Sequence, residues 1–463
     1  MRKIILILNI LFLFLAQQIS AQLEQEALTK LGELNQLIDV AEQFGIDIYK
    51  EKMTARTASI YLEFARWDEN NKAENAALFN KVQIYRDTSD KMAEILPDFE
   101  RQEVILMVDD AIDFLEKLID GEYIRKPIPQ VNWARTTHDG DQLTFNGRPV
   151  FLQDWTWKPE TGYLKKYHGQ LDGFFLSPNH VTDENGTINP NIISDLNSKP
   201  SGSMGFIFIA NQSLPDWAKS KYGPDFELRT ENTFIDYDID NPGAKVMMEH
   251  LIDGTVSKMR DKKYADLGYM LCNEPHFFTS QGAWARGPVS NYTILRFQDW
   301  LEEKHGNIST LNSLWATTYN SFSEVNVTIP MSESLQGSAT WYDWMTFNMY
   351  RGTDWFGFLR QKVKENAPNA KTHLKIMPNL WVDNPKDHGI DLEALTEMSD
   401  IIGNDAGAWN NWMGGQVQWW ETDYSFYWVE MAMGYDFLKS VSPNKIVFNS
   451  ESHYLSKNRK KNL

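Results

Sequence analysis

The sequence predicts an α/β protein in which a small all-helical domain precedes a barrel of parallel strands and helices. Residues 22–125 carry apolar side chains at every third or fourth position, which is typical of amphipathic helices. Beyond residue 140, short apolar runs alternate with helical segments, and this alternation predicts parallel β-α-β units. Seven such runs in series favour a (β/α)8 TIM-type barrel over an open sheet.

The N-terminal segment is predicted to be a signal peptide over residues 1–21. Two basic residues precede a mostly apolar run from Ile4 to Leu15, and Ala21 closes a short polar stretch suited to cleavage. An apolar run of about 12 residues is shorter than the roughly 20 needed to span a bilayer. We therefore expect a secreted or periplasmic protein that has no membrane partner once the signal is removed.

The helical domain is predicted over residues 22–125, and it carries no chemical motif, so we interpret it as a packing or spacer module. Its pattern ends near Pro127 and Pro129, because two prolines in three residues interrupt a helix. The barrel domain is assigned to residues 130–463, and it opens with a predicted hairpin around an Asn146-Gly147 turn.

The barrel strands are predicted from short apolar runs, and the tail after the last run is too short and too charged for an eighth strand and helix. We therefore expect a barrel that lacks its eighth strand through C-terminal truncation; closure by the hairpin or by another segment is the alternative. The seven predicted strands are Val150–Gln153, Gly173–Leu176, Gly205–Ala210, Gly268–Leu271, His373–Met377, Ile401–Gly403 and Ile446–Phe448.

Two glutamates follow buried strands on opposite sides of the predicted barrel. Glu274 follows the fourth strand and Glu451 the seventh, and catalytic groups of such barrels lie at the carboxyl ends of the strands. Two facing carboxyls are what glycoside hydrolysis needs, about 5–5.5 Å apart for retention of configuration. We predict Glu274 as the acid/base, holding its proton near neutrality, and Glu451 as the nucleophile. The competing acids for the second role are Asp405, Glu421 and Glu430.

Aromatic and polar side chains around these strand ends predict a carbohydrate substrate. The chain has 17 tryptophans, and several fall in predicted loops, where a flat ring with a polar edge suits the C–H face of a sugar. Nearly every predicted strand also ends in a hydrogen-bonding side chain. The predicted substrate-binding residues are Asn273, Trp155, His180, Asn379, Trp409, His276 and His453.

Several other classes of function are excluded by charge and by missing motifs. The net charge of −18 argues against a nucleic-acid partner, whose phosphates would be repelled. The sequence has no metal-ligand spacing and no phosphate-binding or dinucleotide fingerprint, so we predict neither a metal nor a cofactor. Cys272 is the single cysteine, and we interpret it as a small core residue rather than a nucleophile. The oligomeric state stays unknown.

These residues carry a family resemblance. Asn273-Glu274 after the fourth strand, with Glu451 after the seventh, resembles the clan A glycoside hydrolases, which are retaining enzymes built on (β/α)8 barrels. Within that clan, residues 297–315, continuing to 319–322, resemble the helix and the "Gly, Ile, Leu-Asn, Trp" pattern of the family 42 β-galactosidases. The resemblance covers residues 143–451, and agarase- or carrageenase-like relatives fit it as well.

The sequence therefore predicts a retaining glycoside hydrolase that cleaves β-linked, galactose-containing glycans by a two-glutamate double displacement. An endo-acting agarase- or carrageenase-like hydrolase is one alternative. The alternative from another class is a non-catalytic glycan-binding protein derived from a truncated barrel.

Overall fold

The computed structural model describes the chain except for residue 1 and residues 127–129, 155–168, 170, 200–203, 228–233, 283–286, 378–387, 407–408, 411–425, 428 and 452–463. The chain divides into two compact units. The first comprises Met1–Gln130, Trp409–Tyr427 and Tyr454–Leu463, and the second comprises Val131–Ala408 and Trp428–His453.

The first unit is built from long helices, so the predicted helical region is confirmed. Leu34, Leu62 and Leu115 are almost fully buried in its core, and Arg101 donates hydrogen bonds to Glu24 (2.8 Å) and Glu69 (2.6 Å), joining three of the helices. The helices are α1 (Arg2–Gln43), α2 (Tyr49–Asn70), α3 (Lys72–Phe79) and α4 (Ser89–Ile119). No helix in the described part of the chain is long and apolar enough to cross a membrane.

The second unit begins with a three-stranded antiparallel sheet in the order β1-β2-β3. The strands are β1 (Thr137–Asp139), β2 (Gln142–Phe145) and β3 (Arg148–Val150). The predicted hairpin is confirmed: Asn146 and Gly147 have φ of 52° and 73°, which suits a tight two-residue turn. The prediction of a first barrel strand at Val150–Gln153 is wrong, because Val150 pairs antiparallel with Leu143 and residues 151–154 form no strand.

The other six predicted strands are present and run parallel. They are β4 (Asp172–Leu176), β5 (Gly205–Ile209), β6 (Tyr269–Asn273), β7 (Thr372–Lys375), β8 (Ile402–Asn404) and β11 (Val447–Asn449). A separate short pair is formed by β9 (Trp409–Asn410) and β10 (Phe426–Tyr427). Strands β4, β5, β6 and β7 pair in that order, β8 pairs with β11, and a parallel bridge between Ile376 and Asn404 links these two groups.

Helices connect most of these strands, as a β-α-β pattern requires. They are α5 (Pro190–Ser198), α6 (Asp216–Tyr222), α7 (Pro242–Thr255), α8 (Asn291–His305), α9 (Ile308–Trp315), α10 (Ala339–Asn366), α11 (Leu392–Met398) and α12 (Val429–Val441). One face of the parallel sheet packs against these helices. Ile207 of β5 and Leu271 of β6 are buried in one core with Met247 of α7 and Leu359 of α10.

The opposite face of the parallel sheet is concave. Phe206 of β5 and Phe448 of β11 have ring centroids only 5.8 Å apart, so strands far apart in the sheet order meet through their side chains. Curvature of this kind is typical of a (β/α) barrel. Among the described residues, however, no pairing joins β4 to β11, and the sheet keeps these two strands as edges.

The antiparallel sheet lies at the amino ends of the parallel strands. Leu143 is buried in one cluster with Leu267, which precedes β6, and His138 Nε2 lies 3.1 Å from the Asp266 carboxylate. The antiparallel sheet therefore covers the amino ends of the parallel strands and not their carboxyl ends.

Candidate active site

Backbone pairing continues past the carboxyl ends of four parallel strands and brings their next side chains together. The Glu274 N–H donates to the Lys375 carbonyl (3.0 Å), and the Asp405 N–H donates to Ile376 (3.4 Å). The Ser450 N–H donates to Asn404 (3.1 Å), which positions the residue that follows, Glu451. The site is thus formed by Glu274, Lys375, Asp405 and Glu451.

Lys375 links the two predicted catalytic glutamates. Its ammonium is ion-paired and hydrogen-bonded to Glu451 Oε2 and lies 3.6 Å from Glu274 Oε1. The lysine side chain is 3% exposed, whereas the two glutamates are 26% and 29% exposed. The structure therefore places two partly exposed carboxylates around one buried cation.

Asp405 is the third carboxyl of the site. Burial, together with the negative charges of Glu274 and Glu451, raises the pKa of Asp405 to about 8, although Lys375 opposes the shift. A side-chain hydrogen bond with Glu274 raises the pKa of Asp405 further. At neutral pH Asp405 therefore keeps its proton beside the two glutamates and the lysine.

The backbone at Glu274 is held in an uncommon conformation. Its φ is 42°, in the left-handed region that non-glycine residues seldom occupy. The His276 ring lies with Nδ1 2.9 Å from the Glu274 carbonyl oxygen, to which it donates. At the next residue, Phe277, the carbonyl accepts a hydrogen bond from Asn348 Nδ2 (2.6 Å), which ties this loop to α10. These two hydrogen bonds hold the loop that follows Glu274.

Cys272 lies deeper than the carboxyls. It is fully buried, and burial holds the pKa of its thiol well above the ordinary value, so it does not supply a thiolate nucleophile. In the described part of the chain, no group of three or more His, Cys, Asp or Glu side chains is arranged to hold a metal ion.

Of the remaining predicted site residues, Asn273 and His180 lie within the described structure. Asn273 ends β6, is 9% exposed and pairs with Lys375 in the sheet register. His180 follows β4, where its Nδ1 accepts a hydrogen bond from the Ser177 N–H (3.1 Å), and burial lowers the pKa of its ring. Trp155, Asn379 and His453, the side chains of Trp409 and Glu430, and Glu421 lie outside the described residues. Substrate contact by any of them stays a prediction.

Lys375 was missed by sequence reasoning. It stands inside the predicted strand His373–Met377, where a lysine among apolar residues is a signal that a charged partner lies nearby. Asp405 was considered only as a rival nucleophile, although it directly follows its strand as Glu274 does.

Comparison with known proteins identifies the family that the chain resembles. Residues 289–449 match the glycoside hydrolase family 42 model, described as beta-galactosidase. The chain is similar to the family 42 glycoside hydrolases. The predicted resemblance is therefore confirmed. No curated protein matches the chain at a significant level.

One solved structure supports the same family at much higher identity than the others. The chain is 47% identical to an apo exo-carrageenase of family 42 from Bacteroides ovatus, with a TM-score of 0.75 over 94% of this chain and 60% of that one. A family 42 β-galactosidase mutant from G. stearothermophilus is 15% identical (TM-score 0.44; 59% of this chain and 39% of that one). The catalytic domain of a Paenibacillus polymyxa β-amylase is 12% identical (TM-score 0.44; 59% and 76%). The chain spans 60% of the length of the carrageenase.

Residues 297–322, which resemble family 42, make structural contacts between helices. Gly306 ends α8 with φ of 72°, and the Asn307 side chain accepts from the Thr310 N–H (2.9 Å) to begin α9. The Trp315 indole then donates to Asp343 of α10 (2.8 Å), whose carboxylate also binds Lys304 and His305. The pattern therefore reflects how α8, α9 and α10 pack against one another.

Proposed function

We propose that this chain is a retaining glycoside hydrolase acting on β-linked, galactose-containing glycans. The observation that carries the proposal is the pair Glu274 and Glu451, gathered around Lys375 at the carboxyl end of the parallel strands. Double displacement requires two carboxyl groups at one site. The similarity to family 42 supports the galactose-containing substrate.

In this mechanism Glu451 attacks the anomeric carbon while Glu274 protonates the leaving oxygen. The glycosidic C–O bond breaks, and an ester between Glu451 and the sugar forms. Glu274 then takes a proton from water, whose oxygen displaces Glu451 and releases the sugar with its original configuration. Lys375 keeps Glu451 ionised for the attack, because a neighbouring cation favours the charged form of a carboxyl.

The first substrates to test are red-algal galactans. The 47% identical structure is an exo-carrageenase, and we propose carrageenan oligosaccharides as substrates, with attack from the chain end. We also propose that residues 1–21 direct export, which would bring the enzyme to polymers outside the cell.

The test is hydrolysis of carrageenan and agarose oligosaccharides and of an aryl β-galactoside, with proton NMR of the first anomer released. We expect the β-anomer first. Glu274→Gln and Glu451→Gln should each lower kcat by about 100-fold to 10,000-fold, whereas Glu303→Gln, an exposed change on α8, should leave turnover unchanged. Release of the α-anomer first, or full activity in either site variant, would refute the mechanism.

A second candidate is a non-catalytic glycan-binding protein. It is favoured by the two sheet edges at β4 and β11 among the described residues. Calorimetric binding of an oligosaccharide by the folded wild-type chain without any product release would support this candidate over hydrolysis.

A further inference from the structure

We infer that Asp405 and Glu274 share one proton, and that this pair, rather than Glu274 alone, is the acid and base of the site. The inference rests on the proposed hydrolase function and assigns a role to a residue outside the two-glutamate scheme.

The first support is geometric. Glu274 follows β6 and Asp405 follows β8, and their N–H groups donate to the consecutive carbonyls of Lys375 (3.0 Å) and Ile376 (3.4 Å), so the two residues flank β7 at the same end of the sheet. The next residue, Ala406, donates to Asn404 Oδ1 (3.1 Å) and fixes the chain after Asp405. A side-chain hydrogen bond with Glu274 is one cause of the raised pKa of Asp405. Two carboxyls can form such a bond only when one of them carries the proton that is donated.

The second support is the balance of charge. The groups that face Asp405 in the described structure are Glu274 after β6, Lys375 at the end of β7 and Glu451 after β11, while the thiol of Cys272 faces Glu274 and Lys375 from below. Three ionised carboxylates beside one ammonium would repel each other at short range, so one carboxyl keeps its proton. Burial acts in the same direction and raises the pKa of Asp405 to about 8.

The position of Lys375 decides which carboxyls hold the proton. Its ammonium is hydrogen-bonded to Glu451 and lies farther, at 3.6 Å, from Glu274. Glu451 is therefore the carboxylate most strongly held in its ionised form, and the single proton belongs to the Asp405–Glu274 pair.

The proton balance over one turnover follows directly. The pair begins with one proton, which Glu274 gives to the leaving oxygen as Glu451 bonds to the anomeric carbon. The pair holds no proton while the glycosyl ester exists. Water then gives one proton back to Glu274 as its oxygen displaces Glu451, and Asp405 shares it again. No other reactant is consumed.

The test is carbon-13 NMR of the full chain labelled at the aspartate and glutamate carboxyl carbons, titrated without substrate. We expect one carboxyl signal to titrate near pH 8. Asp405→Asn should remove it. Glu274→Gln should move its midpoint to lower pH, because a negative neighbour is lost, and Lys375→Met should move it to higher pH, because a positive neighbour is lost. The matched control Asp299→Asn changes an exposed carboxyl of α8 and should leave the signal in place.

Several results would overturn the inference. These are a wild-type chain in which no carboxyl titrates above the ordinary range, a signal that persists in Asp405→Asn, or a midpoint that does not move in Glu274→Gln. Should Asp405→Asn fail to fold, the opposite shifts in Glu274→Gln and Lys375→Met decide the question alone.

An activity measurement separates this inference from the proposed function. With a hydrolysed oligosaccharide as substrate, the alkaline limb of kcat/KM should lie at lower pH in Asp405→Asn than in the wild type, because the acid of the site loses a negative neighbour. An unchanged limb would contradict proton sharing even in an active enzyme. Absence of hydrolysis in the wild type would count against the function, while the NMR titration would still report on the pair.

Discussion

Gly403 shows how tightly the interior of the parallel sheet is packed beneath the site. A Cβ added at this position would lie 2.2 Å from the Leu374 carbonyl oxygen and 2.6 Å from Nδ1 of His373. His373 is fully buried, and burial lowers the pKa of its ring to about 3, so the ring is neutral at working pH. The smallest residue is therefore required beside an uncharged imidazole one layer below the carboxyls.

We expect Gly403→Ala to lower the free energy of unfolding by about 1–3 kcal/mol, because the methyl group would push against main chain that cannot yield easily. Urea denaturation measures this. The matched control is Gly357→Ala on α10, whose Cβ would meet only Met398 at 3.8 Å; it should be neutral or stabilising by up to about 1 kcal/mol. Equal stability of the Gly403 variant and the wild type would contradict the packing described.

The two glutamates could be selected from the sequence, because each directly follows or closely follows an apolar run. The role of Lys375 could not be predicted in that way, since its closest partner, Glu451, lies 76 positions away. The state of Asp405 depends on three side chains from three other strand ends. Spacing along the chain reveals strand ends, whereas charge coupling between them appears only when the strands are placed side by side.

At the scale of elements, Asp266 connects the antiparallel sheet to the parallel one. Its carboxylate lies 3.1 Å from His138 Nε2 of β1 and 2.8 Å from Lys263 Nζ, and Lys371 Nζ is 3.8 Å away. Burial by itself would raise the pKa of Asp266, but the hydrogen bonds from His138 and Lys263 hold it well below the usual range.

We expect Asp266→Asn to destabilise the protein by about 1–3 kcal/mol at pH 7, because a charge-assisted set of hydrogen bonds is lost. The pKa of Asp266 is lower in the folded chain than in the unfolded one, so its contribution is complete above about pH 4 and declines as the pH falls further. Chemical denaturation at pH 7 and pH 3 should therefore show a smaller difference at pH 3. The control is Asp139→Asn, an exposed change at the end of β1, which should alter stability by less than about 0.5 kcal/mol. A pH-independent loss in Asp266→Asn would contradict the ionic explanation.

The hairpin itself was predictable because Asn146-Gly147 specifies its turn locally. The antiparallel pairing of its second strand, outside the parallel sheet, was not predictable. Val150 was assigned to the barrel because an apolar run looks the same whether its strand pairs parallel or antiparallel, and the pairing with Leu143 is settled by the turn rather than by hydrophobicity.

For the molecule as a whole, the parallel sheet has interior strands and edge strands among the described residues. β6 pairs with neighbours on both sides, whereas β4 pairs only with β5 and β11 only with β8. Amides that lack a partner on one side open to solvent more readily.

We therefore expect hydrogen exchange, followed by mass spectrometry, to be faster in peptides covering β4 and β11 than in those covering β6. Protection of β4 and β11 equal to that of β6 would contradict the open arrangement and would indicate that another segment pairs with both edges. The order of six strands was predictable from the alternation of apolar runs and helices, but closure depends on contacts between the first and last strands, which no local pattern encodes.

The conformation of Glu274 has a consequence for how this protein would change under selection. With φ at 42°, its backbone adopts a conformation that glycine occupies readily. For a residue with a Cβ this conformation costs roughly 1–3 kcal/mol. Replacement by glycine would remove the carboxyl and relax the chain at the same position. In a library screened only for solubility or heat resistance, the acid would therefore be among the first groups to disappear, and its retention over many rounds would be a record that turnover itself was being selected.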